Sequence, residues 1–382
     1  MRHATIAAAA VCLLGITGCD EKPDEPPAFA SSFFREPLSD HAQLDDGSAE
    51  MVAQLRNLAL GVDPGTGFDC SRAVMKPPED WSAAEAENCR QVTTRAGIAF
   101  DDFAPVVYTV PPDQATVPVV SDAADPDLTR IFAEGVPIPP GAQAAGGTDQ
   151  QLIIWQPATD TMWEFWRAYQ DASGAWHAGY GGRMEDVSQN PGHFHDVVDP
   201  ERPGSFLERH NWGGPASSIP NLPGLMTVDQ LRSGTIGHAL VFATWTNKPG
   251  QWVYPAQRTD GTCRGEYCSD IPQGARFRLD PAYDVGQIEH PVVRMIAEAV
   301  QDYGMVLNNS TGGGLAFYAE GWRAHGWDDP YYGEDGLFAN DPDQLQASLF
   351  MREFPWDRLQ MLKRGTTCTD PAVECKQPEN WP

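Results

Sequence analysis

Short apolar runs separated by glycine and proline dominate the pattern of hydrophobic and polar positions along the chain. Thirty-six glycines and thirty-three prolines divide the sequence into brief segments, and few of those segments have helical periodicity. Such punctuation is typical of a mainly β protein. We therefore predict β-sandwich or jelly-roll-like antiparallel sheets that carry a few short helices.

The clearest sheet signal lies between residues 150 and 183. Three strand-like runs, QQLIIWQ, TMWEFWRAYQ and AWHAGYGGR, are separated by the turn sequences PATD and DASG. This arrangement predicts an antiparallel meander. Further strands are predicted at 238–245, 275–280, 304–309 and 315–320.

Three segments have the spacing and end signals of helices. The first, at 49–60, has apolar residues at roughly helical spacing and ends before Gly61. The second, at 227–234, begins with a threonine cap and ends at glycine. The third, at 290–304, has a proline in its first turn, an apolar stripe and a terminal glycine.

The N-terminus resembles a bacterial lipoprotein signal peptide. A short apolar run ends in the letters ITGC at 16–19, which match the lipobox of such peptides. The resemblance implies cleavage before Cys19 and attachment of lipid to its thiol and amine. An ordinary secretory signal with a chance cysteine is the alternative. No later stretch is apolar enough to span a membrane, so we predict an exported protein, periplasmic or at the cell surface, held by lipid alone.

The composition of successive segments predicts how the chain is divided. We predict a signal peptide at 1–18, a lipidated cysteine with a charged, proline-rich tether at 19–32, an N-terminal segment at 33–100 and a β-rich main domain at 101–382. The oligomeric state is not predictable from these features.

Cysteine spacing predicts three local disulfides. Cys12 falls in the signal peptide and Cys19 is the lipidation site, which leaves six cysteines. Short loops cost less entropy to close than long ones, and an exported protein meets an oxidising compartment. We predict the pairs Cys70–Cys89, Cys263–Cys268 and Cys368–Cys375. A zinc site of four thiolates, formed by two of these pairs, is the alternative.

The charge and the tryptophan content restrict the class of partner. A formal charge of −27 argues against a broad surface for nucleic acid or anionic lipid. Twelve tryptophans would suit sugar rings, whose C–H faces stack on aromatic platforms. A single tryptophan more often fills a core. We predict a polysaccharide or glycan surface as the partner.

The run TMWEFWRAYQ places a carboxylate among aromatic rings. Strand alternation puts Glu164, Trp166 and Ala168 on one face, and Trp163, Phe165, Arg167 and Tyr169 on the other. Both faces then carry a charge and a large ring, which is unusual for a strand with one side in water. Glu164 is therefore either a functional acid or one half of an ion pair with an arginine across the sheet.

Glycoside hydrolysis is the chemistry that we predict from this pattern. It needs an acid whose pKa is raised by desolvation and a second carboxylate roughly 5–10 Å away. We predict Glu164 as the acid or base and Glu185 or Asp186 as its partner. The predicted sugar platforms are Trp163, Trp166, Trp176 and Tyr180.

A polysaccharide lyase is the alternative enzyme. Lyases on jelly-roll folds commonly use an arginine to neutralise a uronate carboxylate and a histidine or tyrosine to move protons. Arg183, His238, Tyr180 and Tyr318 are of the right types. For His238, burial with a hydrogen bond to backbone is the default interpretation.

The motif GHFHD could hold a metal ion. In an extended chain His193 and His195 would project to the same side, and His238 could be a third ligand. A structural or solvated role is the simpler interpretation, and we predict no metal site there.

The acidic loop at 326–343 offers oxygen ligands. Calcium near Asp328, Asp329 and Asp335 would suit an exported protein. The loop lacks the spacing of an EF-hand, so a solvated loop is the preferred interpretation.

Several runs resemble a group of exported bacterial proteins that carry no assigned activity. They are TDTMWEFWRA, GPASSIPNLPGLMTVDQLRSGTIGHALVFA, IPQGARFRLDP and VVRMIAEAVQDYGMVLNN. The similarity covers roughly residues 100–320. It implies a secreted bacterial β-rich domain and assigns no catalytic role.

These observations lead to one leading hypothesis and two rivals. The leading hypothesis is a lipid-anchored extracytoplasmic protein that hydrolyses a carbohydrate polymer. The rivals are a non-catalytic surface module that binds glycan or protein, and the lyase described above.

Overall fold

The structure is a computed structural model and describes residues 28–62, 80–88, 96–202, 205–261, 269–312, 314–338, 351–378 and 381. The mainly β class is confirmed. The described residues form thirteen strands and five short α-helices. The strands lie in a six-stranded, a five-stranded and a two-stranded sheet.

The six-stranded sheet is mixed. Its strands are β1 (Ala96–Ala99), β9 (Leu240–Thr244), β10 (Arg276–Leu279), β11 (Met305–Ser310), β12 (Leu315–Tyr318) and β13 (Leu359–Met361). They lie in the order β1-β12-β9-β11-β10-β13. The pairs β1–β12 and β9–β11 are parallel, whereas the other neighbours are antiparallel.

The five-stranded sheet contains the predicted meander. Its strands are β2 (Val106–Thr109), β3 (Val119–Ser121), β4 (Leu152–Gln156), β5 (Thr161–Gln170) and β6 (Trp176–Met184). The order is β2-β4-β5-β6-β3. The meander β4-β5-β6 is antiparallel, and β2 and β3 add to its two sides in parallel. A small hairpin follows, formed by β7 (Val197–Val198) and β8 (Phe206–Glu208).

The three predicted helices are present. The α-helices are α1 (Ser48–Leu60), α2 (Ala83–Asn88), α3 (Pro126–Ala133), α4 (Val228–Ser233) and α5 (Pro291–Asp302). Helix α1 ends at Gly61, whose φ of 71° is unfavourable for residues with a Cβ. Helix α4 begins with a capping box at Thr227. Helix α3 was not predicted; Asp125 caps it by accepting from two backbone N–H groups.

Helices cover the outer face of each large sheet. Helices α1 and α5 pack on the six-stranded sheet, where Leu55 and Ile296 share a core with Phe317. Helix α3 packs on the five-stranded sheet, with Phe132 against Phe165 at 5.1 Å between ring centroids.

The other faces of the two sheets border a shared middle layer. Side chains of the six-stranded sheet, such as Val241, pack there with Phe34 and Ile219. Side chains of the five-stranded sheet, such as Met162, pack with Phe29. Val107 of β2 contacts both groups. The protein therefore buries β5 on both faces over its first half.

The predicted N-terminal segment at 33–100 contributes to this architecture. Helix α1 shares the core of the six-stranded sheet, and β1 forms one edge of that sheet. The predicted boundary at residue 100 lies directly after β1.

One predicted disulfide is confirmed. Cys368 and Cys375 are bonded, with an S–S distance of 2.03 Å. The other predicted positions, Cys19, Cys70, Cys89, Cys263 and Cys268, lie outside the described residues and stay predictions. No helix in the described ranges is both long and apolar enough to cross a membrane.

We predict that Cys368→Ala combined with Cys375→Ala lowers the free energy of unfolding by roughly 2–3 kcal/mol, because the open chain regains the entropy of a short loop. Denaturant unfolding of both proteins measures the difference. Peptide mapping under non-reducing conditions is the control, since the remaining cysteine pairs must be unchanged. An unaltered free energy of unfolding would contradict the prediction.

Candidate active-site cleft

A cleft of about 350 Å³ opens beside the end of β6. We name it the β6 cleft; its charged lining residues are Arg130, Arg183, Glu185, Asp186 and Glu208. Three residues that were predicted to be catalytic, Arg183, Glu185 and Asp186, therefore lie together. Glu208 and Arg130 were not predicted.

The loop that follows β8 completes one wall of the cleft. Strand β3 pairs with β6 only at residues 176–178. Farther along β6, the side chain of Asn211 bonds the strand's backbone in place of β3. Its Oδ1 accepts from Arg183 N–H at 2.7 Å and its Nδ2 donates to Arg183 O at 2.6 Å. Gly182 makes this approach possible, because a Cβ there would lie 2.6 Å from Asn211 Oδ1. The loop thereby holds the end of β8, and with it Glu208, beside Arg183.

Arg183 is the centre of an ion-pair cluster. Its guanidinium contacts Glu134 Oε2 at 2.5 Å and Glu208 Oε1 at 3.1 Å. Its Nε lies 3.4 Å from Glu185 Oε1. Arg130 adds a second cation, 3.3 Å from Glu208 Oε1. The hydrogen bond from Arg183 is the main reason that the pKa of Glu134 lies below its ordinary value.

The carboxylates of the cleft have contrasting environments. The Glu208 side chain is 6% exposed, whereas that of Glu185 is 67% exposed. Burial raises the pKa of Glu208 above its ordinary value, although Arg183 and Arg130 act in the opposite direction. An acid whose pKa is raised by burial, beside an exposed carboxylate, is the combination that glycoside hydrolysis requires.

Glu164 is not in this cleft. It is 1% exposed in the middle layer between the sheets. Both of its carboxylate oxygens accept from the backbone N–H of Asn221, at 3.1 and 3.3 Å. None of the ion pairs found in the described ranges involves Glu164, so the predicted pairing with an arginine is not what holds it. Burial raises its pKa to about 8.

The predicted pairing of Glu164 with Glu185 or Asp186 is not formed. Glu164 lies opposite Gly182 on β6, whereas Arg183 lies opposite Trp163 and turns toward the α3 side. Glu185 contacts Arg183 on that side. The first carboxylate is therefore buried on one side of the sheet, and the second is exposed at the end of β6.

The predicted alternation of faces fails at Arg167. Its φ of 55° is in the left-handed region, which an arginine adopts rarely. Ala168 consequently joins Trp163 and Phe165 in the core under α3, while Trp166 and Arg167 are both exposed. Alternation reasoning assumes extended backbone throughout and could not detect this break.

Only one predicted tryptophan platform is accessible. Trp163 and Trp176 are each 7% exposed and belong to the core under α3. Trp166 is 37% exposed. Tyr180 is half-buried and donates its hydroxyl to His210 O at 3.0 Å.

The predicted lyase residues are not brought together. His238 is 1% exposed, and its Nδ1 lies 2.9 Å from Ala239 O. Burial lowers the pKa of His238 to about 4, so its default structural interpretation fits. Tyr318 is buried in the six-stranded sheet, and burial raises its pKa. Arg183 lies at the other sheet.

The GHFHD motif has one buried and one exposed histidine. His193 is 3% exposed and its pKa is lowered to about 4 by burial. His195 lines the β6 cleft. Their ring centroids are 5.9 Å apart. Neither belongs to a group of potential metal ligands within the described ranges.

A different cluster has metal-ligand geometry. Asp125, Asp127 and His210 each offer an atom within 4.8 Å of the others, and this is the one such group in the part of the chain that the structure describes. Asp125 also caps α3 and hydrogen-bonds His210. Asp127 accepts from the backbone N–H of Arg209. These contacts already use several of the oxygens that an ion would need.

No protein family, curated protein or solved structure matches this chain.

The sequence held no local signal for Glu208. It lies in the run SFLERHNW, without a motif or a periodic pattern. Its importance comes from contacts with Arg183 and Arg130, which are 25 and 78 positions away in the sequence.

We predict that Glu164→Gln changes the pH dependence of stability. The folded-state pKa of about 8 lies above the ordinary value of 4.5, so folding retains a proton that the unfolded chain releases. The stabilisation linked to this proton is complete below about pH 4.5, and it is lost as the pH rises through 8. Between pH 5 and pH 8, the variant should therefore gain stability relative to the wild type, by roughly 3 kcal/mol.

Thermal unfolding of the variant and the wild type at both pH values measures this gain. Glu298→Gln, at an exposed position on α5, should keep the wild-type pH dependence. A difference between Glu164→Gln and wild type that stays constant with pH would contradict the prediction.

Proposed function

We propose that this protein is a lipid-anchored extracytoplasmic glycoside hydrolase that cleaves a carbohydrate polymer in the β6 cleft. Glu208 is the general acid, and Glu185 or Asp186 is its carboxylate partner. The observation that carries the proposal is the sharing of Arg183 by a buried acid with a raised pKa and an exposed carboxylate.

The separation of the two carboxylates suits this chemistry. Glu208 lies 3.1 Å and Glu185 lies 3.4 Å from nitrogens of one guanidinium. Because both oxygens contact one guanidinium, they lie at most about 9 Å apart, and this upper bound is compatible with the separations that glycoside hydrolases use. Arg183 thus sets the distance between the acid and its partner.

Each residue has a distinct role in the proposed reaction. Glu208 donates its proton to the glycosidic oxygen as the bond to the leaving group breaks. The Glu185 or Asp186 carboxylate either attacks the anomeric carbon or removes a proton from the attacking water. Arg183 and Arg130 position Glu208 and balance the negative charge of the cleft.

The polymer is expected to be neutral. The chain carries a formal charge of −27, and the cations of the cleft are already paired with carboxylates. The engagement of Arg183 by three carboxylates also leaves it poorly suited to neutralise a uronate, so the lyase is not our proposal. Asp328, Asp329 and Asp335, the residues near which calcium was expected, do not form a group of potential metal ligands in the described part of the chain, so no calcium ion enters this proposal.

We predict that Glu208→Gln lowers kcat on a hydrolysed polymer by at least about 100-fold, because the amide has no proton to give. A panel of neutral and uronate-containing polysaccharides, read for new reducing ends and for absorbance of unsaturated uronates, identifies the substrate and the reaction. Glu164→Gln is the matched control and should keep turnover within about twofold.

Three results would count against this assignment. Equal losses in both variants would place catalysis elsewhere. Unsaturated products would favour a lyase. No product on any polymer would leave a non-catalytic surface module as the better description. Circular dichroism of the Glu208→Gln protein checks that its fold is retained.

We also predict that Cys19→Ser moves the protein from the membrane fraction to the soluble extracytoplasmic fraction. The change removes the thiol that the lipobox resemblance assigns to lipid. Fractionation and immunoblotting of bacteria that express each form measure the shift. Cys12→Ser is the control and should leave the protein at the membrane. An unchanged distribution of the Cys19→Ser protein would exclude the lipid anchor.

A further inference from the structure

The outer half of the β5–β6 pair carries exposed aromatic side chains. Trp166 is 37% exposed and Tyr169 is 38% exposed. The side chain of His177 on β6 is 20% exposed. We name the surface formed by Trp166, Arg167, Tyr169 and His177 the β5–β6 aromatic face.

These four side chains share one side of the sheet. A Cβ at Gly179 would lie 3.1 Å from Arg167 and 3.4 Å from Trp166, so both residues lie on the side toward which Gly179 is directed. His177 is two positions from Gly179 on the same strand and points the same way. Tyr169 stacks on His177, with 5.0 Å between ring centroids.

This side is opposite to α3. Ala168 and Ala178, which lie next to residues of the aromatic face along β5 and β6, point to the other side of the sheet and are buried in the core under α3. The β6 cleft is on the α3 side, because Arg183 reaches Glu134 at the end of that helix. The aromatic face and the cleft are therefore two separate surfaces on the same pair of strands.

Carboxylates hold the polar ends of the rings. Trp166 Nε1 donates to Asp149 Oδ1 at 3.2 Å. The Tyr169 hydroxyl donates to Asp122 Oδ2 at 3.0 Å, and His177 Nδ1 lies 3.0 Å from Asp122 Oδ1. Rings that are positioned in advance lose little conformational entropy when a ligand binds. A carboxylate oxygen also has more than one acceptor position, so it can serve a ligand hydroxyl as well.

We propose that the β5–β6 aromatic face binds a neutral polysaccharide, separately from the β6 cleft. Sugar rings place their C–H faces against Trp166 and Tyr169, and their hydroxyls donate to Asp149 and Asp122. The Arg167 guanidinium lies over the Trp166 ring, 5.3 Å from the ring centroid, and donates to sugar oxygens.

Charge selects the kind of polymer. The flanking carboxylates and the formal charge of −27 repel polyanions, whereas a neutral polyol supplies the hydroxyl donors that carboxylates accept. An exposed ring that adjoins water and fixed polar groups has the amphipathic character that sugar faces match. A neutral glycan is therefore the occupant that this surface fits.

Affinity gel electrophoresis tests the proposal. The native protein is run through gels that contain β-glucan, mannan, starch or xylan, and pull-downs use insoluble cellulose and chitin. We expect retardation or pull-down on at least one of these neutral polymers. Trp166→Ala combined with Tyr169→Ala should weaken that binding at least about tenfold, and Trp166→Phe, which keeps a ring, should weaken it less.

Two variants serve as controls. Trp245→Ala removes a tryptophan that is 41% exposed and follows β9 of the six-stranded sheet, whereas the aromatic face belongs to the five-stranded sheet. This variant should bind like the wild type. Glu298→Gln, at an exposed position on α5, should also bind like the wild type, because it lies in neither the aromatic face nor the β6 cleft. Thermal unfolding of each variant checks that the protein is folded.

The outcomes separate this proposal from the proposed function. Binding without hydrolysis would support the aromatic face and count against the cleft. Hydrolysis of a soluble oligosaccharide with no binding to any neutral polymer would overturn the aromatic face and leave the cleft intact. A wild-type affinity in the double alanine variant, or binding to polyanions alone, would also overturn it.

Discussion

The buried residue Asn221 forms hydrogen bonds to both large sheets. Its backbone N–H donates to Glu164 of β5 at 3.1 Å. Its side-chain Nδ2 donates to Gln151 at 2.7 Å, and its Oδ1 accepts from Asn308 of β11 at 2.8 Å. A buried polar group without a partner costs about 1–3 kcal/mol, so these bonds hold β5 and β11 at a defined spacing. Because β6 pairs with β5, the position of the β6 cleft depends on this link.

Burial raises the pKa of both Glu164 and Glu208, but the two carboxyl groups differ in their access to a ligand. Both carboxylates have raised pKa values because burial disfavours the charged form. Glu164 is enclosed between the sheets, where it accepts from Asn221 and no polymer can reach it. Glu208 lines a cleft. A raised pKa therefore identifies a candidate acid only when the carboxyl also borders a space that can hold the substrate.

Features that depend on neighbouring residues could be predicted from the sequence. The meander, the helix that ends at Gly61 and the Cys368–Cys375 bond all follow from local spacing. Features that depend on distant contacts could not. The left-handed backbone of Arg167 rearranges the faces of β5. Glu208, at the end of β8, lines the cleft beside a loop in which Asn211 is bonded to β6. Trp163 and Trp176, predicted as sugar platforms, are instead buried under α3. Their burial depends on the packing of a distant helix, which local spacing does not reveal.

Burial and the excess of carboxylates around Arg183 both act to raise the pKa of Glu208, whereas its contacts with Arg183 and Arg130 act to lower it. With every group ionised, two guanidinium groups face three carboxylates, those of Glu134, Glu185 and Glu208. Protonation of one carboxylate makes the set neutral, and Glu208 is the member from which burial has removed the most solvent. In the proposed reaction, transfer of a proton from Glu208 to the leaving group would leave an excess negative charge in the cleft. Such a charge would stabilise the positive character that develops on a sugar ring in an oxocarbenium-like transition state.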